Sequence, residues 1–507
     1  MMSRKKIKSA LISVYYKDNL EKIIKALSKY GVTMYSTGGT FDFIKNIAKV
    51  HSVESLTGYP SILGGRVKTL HPKVFGGILS RRDNSSDKED LAKYEIPEID
   101  LIIVDLYPFS ETLAANASHS EIIEKIDIGG ISLIRAAAKN YTDTLIVSSR
   151  NQYSSLLELL ESKNGATDTE DRIRYAAEAF ETTTTYDRDI SDYFASLLNK
   201  EKFALNISPA NKLRYGENPH QKGVFYGKLD EIFTQLHGKE ISYNNLLDID
   251  AAFALISDFT ETTYAVIKHN NACGCASDSN PLAAWEKALA GDPISAFGGI
   301  IITNSPVDAN IAGEINKLFF EIILAPGYSG EALNILKSKK NRIILDVKSN
   351  NRPAKQFRSV LNGVLVQDAD NISEDISYLK QVTKKAPTDQ EISDLLFANK
   401  LVKHSKSNTI ILVKDKQLLA SGVGQTSRVD ALKQAIEKAK NFGFSLLGAV
   451  MASDAFFPFP DCVEIASKEG ITAVIHPGGS VRDQESVDFC DSAGMAMAIT
   501  GYRHFKH

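Results

Sequence analysis

Residues 268–271 place a lysine, a histidine and two asparagines directly after an apolar run at 264–267. Such a run is typical of a buried strand, so its end would present these polar side chains together. His269 could then act as a general base, while Lys268 and the amides could stabilise negative charge. A structural histidine beside a surface lysine is equally compatible with the pattern, so other segments must decide.

Two glycine-rich segments in the first half could bind an anion. Residues 64–72 contain two glycines with Arg66, Lys68, Thr69 and a histidine, which favours an anionic ligand over a merely solvated loop. Residues 36–40 read Ser-Thr-Gly-Gly-Thr between a predicted strand and a predicted helix. They could cradle a phosphate, or they could form only a turn with a Thr helix cap. Neither segment matches the Walker or the dinucleotide-binding pattern.

Other chemistry-bearing residues are weaker signals when taken singly. Asp127 precedes a predicted helix and Lys139 ends it, so a helix cap and a dipole partner are the simpler interpretations. Residues 214–221 combine Arg, Tyr, Asn and His in a turn-rich segment. Residues 454–459 are aromatic and contain proline, and they could hold a flat heterocycle or only pack a core. The basic, aromatic C-terminus around Arg503 is unusual for a frayed end.

Cys273 and Cys275 lie close to His269, which raises the question of a metal site. Their Cys-Gly-Cys spacing differs from the Cys-x-x-Cys of zinc sites, and no second Cys or His pair follows at a standard interval. The same spacing disfavours a redox dithiol. The sequence therefore predicts no metal, and its few scattered cysteines predict a reducing cytoplasm.

The elements that must position these residues alternate between strand and helix. In the first part, strands are predicted at 8–14, 32–35, 101–104 and 145–147, and helices at 20–27, 41–48, 131–138 and 171–182. This alternation predicts a parallel sheet covered on both faces, with ligands beyond the carboxyl ends of its strands. Residues 13–17, 36–40 and 105–108 would then converge on one pocket.

A lysine-rich, proline-containing stretch near 199–212 predicts the boundary between domains 1–198 and 199–507. The second part alternates again and predicts two similar α/β lobes. Its predicted strands are 264–267, 299–303, 410–413 and 472–475, and its predicted helices are 282–290 and 430–440. A polar stretch at 83–90 is predicted to be a solvated loop.

Composition narrows the class of protein. The 507 residues are 43% hydrophobic and 24% charged, as in average globular proteins. The formal net charge of -3 does not indicate a protein that binds nucleic acid. The apolar stretch after the basic start is too short for a signal peptide, and no apolar run could span a bilayer. A cytoplasmic protein without nucleic-acid or membrane partners is expected.

In order along the chain, these segments resemble the bifunctional enzymes of purine biosynthesis. That family fuses an inosine monophosphate (IMP) cyclohydrolase to an aminoimidazole carboxamide ribonucleotide (AICAR) formyltransferase. The resemblance covers essentially the whole chain, and its most specific parts are residues 64–72, 135–140, 214–221, 407–408 and 456–459. It implies formyl transfer from 10-formyltetrahydrofolate to AICAR, giving FAICAR, and then ring closure of FAICAR to IMP.

The resemblance implies a methylglyoxal-synthase-like α/β fold for the first domain, which would close the ring. It gives proton transfer to Lys139, with Lys68, Tyr107 and Asp127 nearby. Because nucleophile and electrophile belong to one molecule, proximity should supply much of the acceleration. The implied substrate-binding positions are Lys17, Ser36, Thr37, Gly38, Gly39, Thr40, Arg66, Thr69, Asp105 and Gly129.

For the second domain, the resemblance implies a duplicated cytidine-deaminase-like fold without a metal. His269 matches the family's proton acceptor, Lys268 its transition-state stabiliser, and Asn408 a donor to the formyl oxygen. The implied substrate-binding positions are Arg214, Tyr215, Asn245, Gly298, Glu321, Arg428, Phe456, Pro458, Asp461 and Arg503. The resemblance also implies a homodimer that shares this site between subunits, and it leaves open whether a monovalent cation binds.

The chain departs from the family pattern at several positions. Tyr15 and Tyr16 replace a serine and an aspartate, and Asp105 replaces an asparagine, so weaker nucleotide binding is expected in the first domain. In the second domain, Ala272 replaces a proline and Pro460 an arginine, near the loops expected to contact folate.

Three other functions stay open on the sequence alone. They are an allosteric nucleotide sensor, a metal-dependent deaminase, and an enzyme that retains only formyl transfer. The retained Lys68, Tyr107, Asp127 and Lys139 argue against a purely regulatory role, and bound zinc would identify the deaminase.

Overall fold

The chain folds into two compact units, Met1–Leu205 and Asn206–His507. The computed structural model describes residues 4–200, 203, 205, 207–349 and 352–507. The boundary predicted between residues 198 and 199 lies slightly before the division between the units.

A parallel sheet forms the centre of the first unit. The strands of this unit are β1 (Lys5–Lys6), β2 (Ser9–Ser13), β3 (Thr33–Ser36), β4 (His51–Ser52), β5 (Leu101–Val104), β6 (Leu145–Val147) and β7 (Ala166–Thr167). The main sheet has the order β4-β3-β2-β5-β6, and each neighbouring pair is parallel. Strand β5 is buried along its whole length, as a strand covered on both faces should be. The predicted parallel sheet is confirmed.

Helices cover this sheet on both faces. They are α1 (Leu20–Lys29), α2 (Gly38–Ile44), α3 (Val53–Thr57), α4 (Pro72–Leu79), α5 (Ser85–Lys93), α6 (Phe109–Ala114), α7 (His119–Ile123), α8 (Gly129–Lys139), α9 (Tyr153–Ser162) and α10 (Thr169–Leu197). Because successive strand residues point to opposite faces, Leu11 and Ile12 enter different cores. Ile12 packs in one core with Ile24, and Leu11 packs in the other with Ile134.

Helix α5 corrects the prediction of a solvated loop at 83–90. The Asn84 side chain caps the helix by accepting the N–H of Asp87 at 3.0 Å, and Arg81 pairs with Asp87 at 2.7 Å. No residue of α5 is buried. The polar composition thus indicated exposure correctly, but it concealed a helix that lacks an apolar face.

One large mixed sheet forms the centre of the second unit. The strands of this unit are β8 (Ala210–Lys212), β9 (Val224–Tyr226), β10 (Phe233–His237), β11 (Thr263–Lys268), β12 (Asn271–Ser277), β13 (Ile300–Thr303), β14 (Ile322–Ala325), β15 (Ile343–Val347), β16 (Lys355–Val360), β17 (Gly363–Asp368), β18 (Lys380–Gln381), β19 (Ile410–Lys414), β20 (Gln417–Gly422), β21 (Val450–Ser453), β22 (Ala473–His476) and β23 (Ala496–Ile499). The order is β10-β15-β14-β13-β11-β12-β20-β19-β21-β22-β23-β18.

That order reads as the same pattern from either end, which shows an internal duplication. Lobe 1 (residues 233–347) contains β10–β15, and lobe 2 (residues 380–499) contains β18–β23. Each lobe has an antiparallel hairpin (β11–β12, β19–β20), two parallel pairings after it, and an antiparallel edge strand. The predicted pair of similar lobes is confirmed.

The helices of the second unit repeat in the same way. They are α11 (Tyr243–Ile256), α12 (Pro281–Ala290), α13 (Ala309–Ile315) and α14 (Gly330–Leu336) in lobe 1, and α15 (Asp389–Lys403), α16 (Arg428–Asn441), α17 (Asp461–Lys468) and α18 (Asp483–Ala493) in lobe 2. Helices α11 and α15 precede the hairpins and pack into one common core, with Leu255 and Leu401 fully buried. Across the described part of the chain, no helix is both long and apolar enough to cross a membrane.

Candidate active sites

The loops that follow β2, β3 and β5 meet at one edge of the first unit's sheet. The Oγ1 atom of Thr40 accepts the N–H of Val14 at 3.2 Å and donates to its carbonyl oxygen at 2.8 Å. The Asp105 carboxylate accepts the N–H groups of Tyr15 and Tyr16, the second at 3.1 Å. The convergence predicted from the carboxyl ends of the strands is therefore observed.

Asp105 holds the backbone of the substituted loop. Each of its two oxygens accepts one N–H, whereas an asparagine has a single side-chain acceptor oxygen. Burial raises the pKa of Asp105, although its backbone hydrogen bonds and the charge of Lys17 oppose the shift. Lys17 donates from Nζ to the carbonyl oxygens of Val14 and Tyr15, the second at 2.9 Å. The predicted binding residues Lys17 and Asp105 thus bond to this loop.

The two substituted tyrosines have different surroundings. The ring of Tyr15 packs edge-on against Tyr107 with ring centres 5.8 Å apart, and Lys125 Nζ lies 5.1 Å from the Tyr15 ring centre. The ring of Tyr16 lies under the Arg150 guanidinium, 4.2 Å from its carbon. Tyr15 is thus adjacent to the predicted catalytic group, while Tyr16 and Arg150 line a neighbouring cleft of about 520 Å³.

Lys68, Tyr107 and Asp127 form one electrostatically connected group. Burial raises the pKa of Asp127, against the opposing effects of its backbone hydrogen bonds and the charge of Lys68. Burial also raises the pKa of Tyr107, and the Asp127 charge adds to that shift. The Asp127 carboxylate accepts the N–H of Gly130 at 2.6 Å, which fixes it beside the start of α8. A carboxyl with a raised pKa beside a phenol and an ammonium suits proton transfer.

Glycines make room for this group. A Cβ on Gly65, where φ is 90°, would lie 2.7 Å from Lys68 Cε, and a Cβ on Gly38 would lie 3.6 Å from Lys68 Nζ. A Cβ on Gly129 would lie 3.1 Å from Thr69 Oγ1. The structure therefore brings the predicted binding residues Gly38, Thr69 and Gly129 close to the catalytic group.

Other predicted binding residues of the first unit have structural partners. Ser36 is fully buried and donates from Oγ to the Ile12 carbonyl oxygen at 2.7 Å. Thr37 is the N-cap residue of α2, although its side chain makes no capping hydrogen bond, and Gly39 follows in the first turn. Arg66 pairs with Glu124 at the surface.

Lys139 does not join Lys68, Tyr107 and Asp127. It is the last residue of α8 and is exposed, whereas Asp127 lies just before the helix begins. Helix α8 has 11 residues, and at 1.5 Å per residue it is about 16 Å long. The predicted proton-transfer lysine therefore stands at the far end of the helix from the other three residues.

A cleft of about 550 Å³ gathers the predicted residues at the end of β11. Lys268 Nζ donates to the Phe297 carbonyl oxygen at 2.8 Å, and a Cβ on Gly298 would lie 3.2 Å from the same Nζ. His269 is exposed in the turn that follows β11. The predicted residues that line this cleft are Arg214, Tyr215, Asn245, Lys268, His269, Gly298 and Glu321.

Polar contacts order part of the wall of this cleft. Asn245 Nδ2 donates to Glu321 Oε2 at 3.2 Å, and Lys239 pairs with the same carboxylate at 3.3 Å. Asp248 also lines the cleft, and the sequence reasoning missed it. An aspartate in the middle of a helix, away from every glycine-rich motif, gave no local signal.

The remaining predicted residues form a separate group in lobe 2. Arg428 donates to Asn408 Oδ1 at 2.8 Å, to Asp454 Oδ1 at 3.1 Å and to the Phe456 carbonyl oxygen at 3.2 Å. The Asn408 amide donates to two backbone carbonyl oxygens at 3.0 and 3.2 Å. Donation from Asn408 to a formyl oxygen therefore requires one of these bonds to break. No member of this group lines the lobe 1 cleft.

The aromatic segment 456–459 contributes to the core, as one of its two interpretations predicted, and the binding of a heterocycle stays a prediction. Phe457 is fully buried in the lobe 2 core, while Phe459 is half exposed beneath Arg482. Pro458 is exposed, and Asp461 begins α17.

The C-terminal tail, whose composition is unusual for a frayed end, is anchored by His504. His504 pairs through its two ring nitrogens with Asp370 at 2.6 Å and Glu374 at 2.9 Å. Burial lowers the pKa of His504, but the two carboxylates outweigh burial and raise it to about 9. The neighbouring Arg503 lies over the ring of Phe505, with 4.6 Å between guanidinium carbon and ring centre.

The cysteines near His269 belong to the interior. Cys273 and Cys275 lie on β12, are buried in different cores and are unpaired. Burial raises the pKa of Cys273 to about 12, which disfavours the thiolate that metal binding requires. Among the described residues, no group of three or more His, Cys, Asp or Glu side chains could hold a metal ion.

Comparison with known proteins identifies relatives of the whole chain. Residues 137–438 match the AICARFT/IMPCHase bienzyme family, and residues 19–132 match the MGS-like domain. The chain is 62% identical over 508 residues to the bifunctional purine biosynthesis protein PurH of Bacteroides thetaiotaomicron, with 100% of both chains covered. It is 47% identical over 509 residues to the protein of the same name from Aquifex aeolicus, with 98% of this chain and 100% of that one covered.

Proposed function

The chain belongs to the AICARFT/IMPCHase bienzyme family, and on this premise we propose that each of its two units holds one of the family's active sites. The chain is a bifunctional enzyme of purine biosynthesis: it transfers a formyl group to AICAR and closes the ring of FAICAR to give IMP. The identity with relatives of that activity extends over the full length of the chain. The assignment of residues to each step is the proposal.

We assign ring closure to the group formed by Lys68, Tyr107 and Asp127. The carboxamide nitrogen of FAICAR attacks the formyl carbon, and the formyl oxygen leaves as water. One proton comes from the carboxamide nitrogen and one from the formylated amine, so groups that accept and donate protons are needed on both sides. The raised pKa values of Asp127 and Tyr107 support this assignment.

The phosphate of the nucleotide is assigned to residues 36–40 and 66–69. The ammonium of Lys68 lies beside Gly38, and the first turn of α2 presents backbone N–H groups at the same place. We give Lys139 no direct role in proton transfer, because α8 separates it from Asp127. Ring closure should therefore fall much less in Lys139→Gln than in Asp127→Asn.

The substituted loop is expected to weaken nucleotide binding without stopping ring closure. Tyr15 and Tyr16 remove a hydroxyl and a carboxylate, but Asp105 and Lys17 keep the loop backbone in place. The KM for FAICAR should exceed that of a relative with serine and aspartate at these two positions. An equal KM would show that the tyrosines replace the lost contacts.

We assign formyl transfer to the lobe 1 cleft. The 5-amino nitrogen of AICAR attacks the formyl carbon of 10-formyltetrahydrofolate, its proton passes to His269, and the bond from carbon to folate nitrogen breaks. Tetrahydrofolate leaves after that nitrogen gains a proton. Lys268 lies next to His269 in sequence and stabilises the oxygen as it becomes anionic. In this proposal the folate is a co-substrate, and no metal ion takes part in catalysis.

The division of the predicted residues between two lobes supports a homodimer. The cleft contains the proposed base, but Asn408, Arg428 and Phe456 lie in the separate lobe 2 group. We propose that lobe 2 of a second copy completes the lobe 1 cleft of the first.

The buried, unpaired cysteines also support the expected cytoplasmic location.

Product analysis tests the assignment of two sites in one chain. The purified protein, mixed with AICAR and 10-formyltetrahydrofolate, should yield IMP. His269→Ala should give no FAICAR from AICAR but should still convert added FAICAR to IMP, and Asp127→Asn should do the reverse. Parallel loss of both activities in a folded variant would contradict two independent sites.

A further inference from the structure

The duplication of the second unit extends to the turns of its two hairpins. Lys268 pairs with Asn271 across the first turn, and Lys414 pairs with Gln417 across the second. Both hairpins also shift register just before the turn, between Val266 and Ile267 in lobe 1 and at the matching place in lobe 2. The turns are therefore equivalent, and His269 corresponds to Asp415.

Both turns need a left-handed backbone at two successive positions. The φ angles are 50° at His269 and 64° at Asn270, and 52° at Asp415 and 51° at Lys416. Two-residue hairpin turns with this geometry normally use Asn, Asp or Gly, because most other side chains are strained there. A positive φ is uncommon for any residue other than glycine, so contacts from the surrounding structure help to hold His269 there.

An aspartate on the preceding helix supplies that support in each lobe. Asp248 is the sixth residue of α11, and Asp394 is the sixth residue of α15. Asp248 Oδ1 accepts the N–H of Asn270 at 2.7 Å. Asp394 accepts the N–H groups of both turn residues in lobe 2, at 2.9 and 2.7 Å.

The two aspartates differ in what else they face. Asp394 is buried, and both of its oxygens are occupied by the turn. Asp248 is only partly buried and lines the lobe 1 cleft beside Lys268 and His269. Burial raises the pKa of Asp248 and the charge of Glu321 adds to the shift, whereas the bond from Asn270 and the charges of His269 and Lys268 oppose it. The same anchor therefore has a catalytic neighbour in lobe 1 only.

We propose that Asp248 is a positioning residue for formyl transfer, because it anchors the turn that carries the proton acceptor His269. This inference rests on the proposed role of His269. By fixing the backbone of Asn270, Asp248 holds the imidazole at the cleft, on a left-handed backbone that residues other than glycine seldom adopt. Asp394 performs the same anchoring in lobe 2, where Asp415 takes the place of the histidine.

The test compares Asp248→Ala with Asp248→Asn and Asp394→Ala in the full-length protein. Asp248→Ala should lower the kcat of formyl transfer about 100-fold, the scale expected when a catalytic group is displaced by about 1 Å, and leave the KM for AICAR within about threefold. Asp248→Asn retains an acceptor oxygen for the Asn270 N–H and should recover most of the activity. Asp394→Ala should lower the thermal midpoint but not kcat.

Several outcomes would overturn the inference. One is an unchanged kcat of formyl transfer in Asp248→Ala, and another is an equal loss of kcat in Asp248→Asn and Asp248→Ala. A third is a loss of kcat in Asp394→Ala as large as in Asp248→Ala. If Asp394→Ala does not fold, Asp394→Asn replaces it as the control. Ring closure and the thermal midpoint show whether each variant is folded. His269→Ala, measured in parallel, tests the proposed role of His269 separately. If this variant retains formyl transfer, the proposed role of His269 fails regardless of the result for Asp248.

Discussion

Lobes 1 and 2 of the second unit are built on the same frame. In each, the lysine that ends the first hairpin strand donates to a backbone carbonyl oxygen at 2.8 Å: Lys268 to Phe297, and Lys414 to Leu447. A left-handed glycine follows each carbonyl, with φ of 69° in lobe 1 and 75° in lobe 2. The lysine, the carbonyl and the glycine are therefore features of the repeated fold and not of the active site alone.

The lobes differ in the side chains that occupy a few equivalent positions of this shared fold. Lobe 1 carries His269 in its turn and faces a cleft of about 550 Å³, while lobe 2 carries Asp415. Lobe 2 instead contains the group around Arg428. In this group Asn408 lies just before β19, and Arg428 is the first residue of α16. A fixed and buried side chain is thus weak evidence of function when its copy in the other lobe is fixed in the same way. Stronger evidence of function is a side chain that occurs at a position in one lobe and is replaced at the equivalent position of the other.

Substitution of the first turn residue should show the functional difference between the two lobes most clearly. His269→Ala should lower formyl transfer by about 10³-fold or more, because general bases contribute on the order of 10²–10⁴. Asp415→Ala, at the equivalent turn position, should leave the kcat of formyl transfer unchanged. Steady-state kinetics with AICAR and 10-formyltetrahydrofolate measure both, and a comparable loss in Asp415→Ala would mean that the lobes are not functionally distinct.

The paired lysines should separate catalysis from folding. Lys268→Met should lower the kcat of formyl transfer about 100-fold, because it removes a cation that stabilises the developing oxyanion. Lys414→Met removes the equivalent bond to a carbonyl oxygen in lobe 2. It should lower the thermal midpoint by about as much as Lys268→Met does, but it should leave kcat unchanged. Equal kinetic losses would show that this lysine acts through the shared frame.

The tail after lobe 2 should add a pH dependence that has no counterpart in lobe 1. The pKa of His504 is raised from 6.5 to about 9, so its ion pairs contribute fully to stability below about pH 6.5 and are lost as the pH rises through 9. The loss should be on the order of 1–3 kcal/mol of stability, and the tail that carries Arg503 should loosen. Denaturant midpoints from pH 6 to 10 measure this, and His504→Gln should flatten the dependence.

Apolar strands and the loops at their carboxyl ends could be predicted from the sequence. The run 101–104 was predicted at its observed bounds, because a strand covered on both faces is apolar throughout. Short or exposed strands escaped prediction: β16 is exposed along its length, and β12 contains Cys-Gly-Cys without any alternation. Helix α2 begins at Gly38 and not at residue 41, because glycines that seem to end a helix here form its first turn.

The sites were predictable where residues gather around a motif, and not where distance along an element matters. Lys68, Tyr107 and Asp127 meet because their loops share one edge of a sheet. Lys139 belongs to a specific motif, yet the length of α8 places it away from them. Asp248 belongs to no motif, and only the equivalent place of Asp394 in the second copy draws attention to it.

Mixed dimers test most directly the claim that the two lobes supply different halves of one site. Neither His269→Ala nor Arg428→Ala alone should transfer the formyl group. Heterodimers of the two variants, purified through different affinity tags, contain one site built from an intact lobe 1 and an intact lobe 2. They should recover about half of the wild-type formyl transfer per dimer. Activity no higher than that of the single variants, or failure of the two chains to copurify, would contradict the shared site.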